Sequence, residues 1–137
     1  MAPGPGKTGL VGLPVWLWTT VSPSTWGPTS ASASIPGLSV TATARATRIV
    51  WDMGDGHTVT CANPGTPFTS ASASAASPTC GHVYTRSSAL LPGAVYPVVA
   101  TTTWEVAWSG GGQSGVLTVT RTSRTSVRIG ELQVLTS

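Results

Sequence analysis

A chain of 137 residues suffices for one domain around one core. Only 8% of it is charged and 40% is apolar, and the abundance of Thr, Ser, Ala, Val, Gly and Pro disfavours helix and full disorder alike. The net charge of +3 comes from scattered residues (Lys7, Arg45, Arg48, Arg86, then Arg121, Arg124 and Arg128), which excludes the dense basic stripe of a nucleic-acid binder.

Residues 1–13 read as a flexible lead-in. They contain Gly6-Lys7-Thr8, the tail of a phosphate-binding loop, but Met1 stands where the first glycine belongs and Pro14 follows, so no nucleotide site is expected. The apolar stretch 9–18, GLVGLPVWLW, is too short to span a membrane, and residues 14–22 read as a first strand. Residues 23–37 read as a Pro/Ser/Ala loop carrying Trp26, the tryptophan most open to a ligand. Residues 38–46 and 47–53 alternate as two strands, the second placing Ile49 and Trp51 on one face. GDG at 54–56 turns the chain into HTVTC, a hairpin signature.

Residues 62–79 are a low-complexity Ser/Ala loop bracketed by Cys61 and Cys80. Its hexapeptide TSASAS, at 69–74, also occurs at 29–34; both copies read as exposed linkers. The two cysteines predict one disulfide and hence an oxidising compartment. A zinc site with His57 and His82 is the alternative, although no zinc-ligand spacing is present. GHVYTR at 81–86 leads to the longest period-two run, residues 96–109, expected at the centre of a sheet. A loose loop at 110–115 and two last strands follow, with a bulge expected at Gly130. About seven strands in one domain, residues 14–137, predict an all-β fold, a β-sandwich.

The densest chemistry is WDMGDGH at 51–57, with Asp52, Asp55 and His57 in a chain of four acids and two histidines. The glycines suit a tight turn, and both aspartates suit backbone N–H acceptance within it. A calcium site is the rival reading, but it requires six to eight oxygens. The acids Asp52, Asp55, Glu105 and Glu131 offer no evident pair across a cleft, and no G-x-S-x-G frame exists, so no catalytic residue is expected. His82 and Tyr84, two apart, share a strand face, with Tyr84 in the core. Six tryptophans leave room for an aromatic platform that binds carbohydrate.

WDMGDG at 51–56 followed by CGHVYTR at 80–86 resembles the PKD domain, whose pattern is W-D-F-G-D-G and then H-x-Y. Trp51, Asp52, Gly54, Asp55, Gly56, His82 and Tyr84 match it; Met53 replaces the usual Phe, and the spacing between the motifs is longer. The layout is also similar to small exported proteins of actinomycetes. The resemblance implies an immunoglobulin-like sandwich acting as a binding or spacer module outside the cell. The expectation is therefore a non-enzymatic, exported module of the cell surface or envelope. It needs no cofactor, its leader is removed upstream of this sequence, and its partner is a protein or a cell-surface polymer. A carbohydrate-binding module is the alternative.

Overall fold

The computed structural model describes residues 1–4, 6–69 and 75–131. The described residues form eight strands and one 3-10 turn, Pro92–Ala94. The strands are β1 Thr8–Leu10, β2 Pro14–Trp16, β3 Thr29–Ile35, β4 Leu38–Asp52, β5 Thr58–Cys61, β6 Gly81–Val83, β7 Tyr96–Gly110 and β8 Gln113–Gly130. The all-β expectation holds. No helix is long and apolar enough to cross a membrane among the described residues.

Six strands make one sheet, in the order β1-β8-β7-β4-β3, with β5 beside the far half of β4. The other two, β2 and β6, make a small second sheet. The two sheets enclose one core. Val15, Leu17 and Tyr84 come from the small-sheet side; Ile49, Trp51, Met53, Tyr96, Val98, Val127 and Ile129 come from the large sheet. All the large-sheet residues lie at one end of β4, β7 and β8. These strands run 15, 15 and 18 residues, or about 50 Å or more at roughly 3.4 Å per residue. The small sheet covers only that end, and the remainder extends as a four-stranded blade.

Several elements differ from what the sequence predicts. The lead-in is docked: β1 pairs in parallel with Arg128–Gly130 of β8, and Ala2 bridges Trp16. The Gly-Lys-Thr tail thus opens a strand, not a helix. The strand expected at 14–22 stops at Trp16. The loop expected at 23–37 contains β3, which pairs with the start of β4. All of β3 is exposed, so its Ser/Ala alternation had no buried face to report. The second TSASAS lies outside the described residues except Thr69.

The two strands expected over 38–53 are one. Its register slips between Ala46 and Arg48, and this bulge explains the switch of apolar parity from Ala46 to Ile49. The loop expected at 110–115 shrinks to Gly111 and Gly112, with φ of 61° and 76°. Two successive positive φ values are what a two-residue hairpin turn demands. The two last strands are the single β8, paired with β7 without a slip from Gln113 to Val127. The bulge expected at Gly130 involves Leu132 and Val134, outside the described residues.

Candidate functional site

The turn between β4 and β5 is built by local bonds. Gly54 N donates to Asp52 Oδ1 at 3.0 Å, and His57 N donates to Asp55 Oδ1 at 3.0 Å. Each aspartate thus closes a turn over the glycine-containing step that follows it. Gly54 has φ 75°, and a Cβ there would stand 2.3 Å from Pro97 O. The turn is therefore seated directly on the start of β7.

The second motif meets the first across the core edge. His82 Nε2 bonds Asp55 Oδ2 at 2.7 Å, and His57 Nδ1 lies 3.5 Å from the same oxygen. Tyr84, fully buried, donates its hydroxyl to Met53 O at 2.8 Å. Its ring stacks on Tyr96 with centroids 4.4 Å apart, and His82 meets it edge-on at 4.8 Å. Tyr96 in turn donates to Arg86 O at 2.7 Å. The structure thus brings Asp55, His82, Tyr84 and Tyr96 into one column, and it places Trp51 in the core beside them.

Burial pushes the Asp55 carboxyl up. The hydrogen bond from His82, the backbone N–H of His57 and the charges of both imidazoles outweigh this, and the carboxyl settles below its ordinary value. Burial, with the nearby Asp55 charge, raises the phenols of Tyr84 and Tyr96. Both hydroxyls therefore stay protonated donors throughout the neutral range.

Three of the four carboxylate oxygens of the turn have partners, and Asp52 Oδ2 has none among the described residues. Among the described residues no group of three His, Cys, Asp or Glu side chains converges on a cation position. The zinc reading fails directly, because Cys61 and Cys80 are bonded to each other. An open cleft of about 780 Å³ beside the column is lined by Asp55, His57, Arg86, Tyr96 and Glu131 among others. No hydroxyl or thiol among the described residues hydrogen-bonds either imidazole.

The described parts of the segment between the cysteines, 62–69 and 75–79, are stitched down by more than the cystine. Trp18 bridges Gly65, Thr66 and Thr79 share a hydrogen bond of 2.8 Å, and Phe68 packs edge-on to Trp16 at 5.4 Å. Ser88, which no sequence motif singles out, is buried. It continues the sheet beyond Val127 by accepting Ile129 N at 2.9 Å and donating to Ala94 O at 2.7 Å.

None of the six tryptophans is fully exposed. Trp16, Trp51 and Trp104 are buried, and Trp18, Trp26 and Trp108 are half-buried. Trp26, expected to be the open one, packs against the core cluster, and its carbonyl accepts Ala46 N at 2.9 Å. Its loop is a clip on β4 rather than a free tip. Arg121, Arg124 and Arg128 do not form one patch. Strand alternation puts Arg121 on the core-side face, level with Thr102 and Ile49, and the other two on the opposite face.

What the fold leaves open is the blade. Val116, Leu117 and Val119 on β8 and Ile35 and Leu38 at the β3–β4 turn are exposed large apolar residues. Among the described residues, the outer side of β8 has no strand partner before Arg128. No family model matches the chain, and neither the curated proteins nor the solved structures give a match.

Proposed function

We propose that this protein is a non-enzymatic module of the cell surface or envelope that works by protein–protein contact. The observation that carries the reading is the blade, a sheet extended well beyond its own core with apolar side chains and a long strand edge in water. A domain that served only itself would gain nothing from ordering these residues, since ordering costs entropy that burial must offset. The disulfide supports an oxidising compartment and hence export. The likeness of WDMGDG and CGHVYTR to PKD motifs supports an extracellular binding or spacer role. The half-buried and buried tryptophans favour this over a carbohydrate-binding module, which needs open aromatic faces.

Photocrosslinking tests the reading. A photoreactive residue at Val116, 64% exposed on the blade, is expected to give protein adducts in the source cells. One at Leu90, fully exposed on a loop, is expected to give none. Adducts to glycan alone, or the same adducts from both sites, would sink it.

A further inference from the structure

The edge of β8 specifies its partner more closely than its exposure alone. Gly110 and Gln113 close the two-residue turn at Gly111–Gly112, so they form a hydrogen-bonded pair. Bonded and non-bonded pairs then alternate along the ladder. Odd-numbered residues of β8 bond to β7, and even-numbered residues from Ser114 to Ser126 aim their N–H and C=O groups away from it. The far end of the strand agrees: Gly130 O, also even, accepts Val11 N of the segment following β1 at 2.9 Å. Among the described residues the stretch before Arg128 therefore presents an unbroken outward ladder, with no proline and no bulge. Such edges take up another strand unless something blocks them.

We propose that the occupant is a second copy of this chain, with β8 pairing antiparallel to its own copy across a two-fold axis at Thr118. This rests on the protein-contact reading above and names its partner. The register follows from side-chain complementarity. With Thr118 opposite itself, the exposed Leu117 and Val119 oppose each other in both directions on one face. Val116 opposes Thr120 on the other. The same register puts Arg121 opposite Gly115. There the residue lacks a side chain because Trp108 lies across it: a Cβ at Gly115 would stand 2.8 Å from Trp108 Nε1. Arg121 has no ion-pair partner among the described residues, so this contact brings an uncompensated cation beside an indole ring. Neither Arg121 nor Arg124 faces an arginine of the copy, although β8 carries basic residues and no acids. Two β8 strands joined in this way merge the large sheets into one continuous sheet, an isologous contact that closes on itself.

Sedimentation equilibrium of the full chain over a wide concentration range is expected to show a monomer–dimer equilibrium. Thr118→Pro removes an N–H that points away from β7, so the fold and its melting temperature stay close to wild type. Self-association is expected to weaken about tenfold or more. Thr118→Cys is expected to oxidise to a covalent dimer, because a directly opposed bonded pair lies within disulfide reach. Thr122→Cys, opposite Ser114 in this register, is expected not to do so. A monomer at every concentration overturns the proposal, as does a dimer indifferent to Thr118→Pro or one that crosslinks through residue 122 instead of 118. A monomeric chain that still gives protein adducts at position 116 sinks the self-pairing alone; a monomer without adducts sinks the contact reading too.

Discussion

Asp55 is the residue on which the two sequence motifs converge. One oxygen shapes its own turn, and the other holds His82, which lies 27 positions further on. Because its folded pKa lies below the unfolded one, the unfolded chain takes up the proton first as the pH falls. The stabilisation is therefore full above the ordinary carboxylate range, about pH 4, and is lost as the pH drops through the folded value. Asp55→Asn keeps an acceptor for His57 N but loses the charge that faces His82. We predict a loss of about 2 kcal/mol at neutral pH, the scale of a hydrogen bond to a charged group, shrinking towards zero in acid. Urea unfolding of both proteins at neutral and acid pH measures this, and parallel acid limbs would refute it. The turn bonds were legible in the sequence because Asp-x-Gly and Asp-x-His steps close within themselves. The His82–Asp55 bond was not, because no local rule carries a turn across a 62–79 loop to a second sheet.

At the scale of elements, legibility followed burial. β7 was read nearly end to end, because Tyr96, Val98 and Trp104 repeat every second residue against a covered face. β3 was missed, because small residues exposed on both sides carry no hydrophobic period. β4 was divided in two, because a bulge at Thr47 mimics the end of one strand and the start of another. β1 was missed for another reason: its partner lies at the opposite end of the chain, in parallel, and three residues encode no such pairing. The cystine joins elements as well as closing a loop. It ties the last residue of β5, in the large sheet, to the residue before β6, in the small one, 19 positions apart. The chain-entropy model assigns such a loop about 3 kcal/mol. Reduction is expected to cost that order of stability and to speed amide exchange in residues 62–69 and 81–83, while the β7–β8 ladder keeps its protection. Unchanged exchange at Gly81–Val83 would show that the small sheet holds without the bridge.

At the scale of the molecule, the core sits at one end of a sheet that continues well past it. The sequence announced a sandwich because apolar alternation marks strands without saying how far along a strand its cover extends. One feature of the covered end also sets how the molecule answers load. β1 runs parallel to the last residues of β8, so traction applied through the segments before Thr8 and after Gly130 pulls these two strands in opposite directions along their length. The bonds between them, slanted but evenly spaced, are then sheared together rather than opened one at a time. Traction applied across the strands at the open end of the β7–β8 hairpin, between Tyr96 and Val127, instead parts the paired residues one after another. Single-molecule extension along the two directions is expected to give the higher rupture force for the first; equal forces would show that the parallel pair bears none of the load. A molecule strung between two attachments by its flanks would act as a clamp that yields abruptly, whereas the same molecule gripped across the open end of its long hairpin would unravel like a zip.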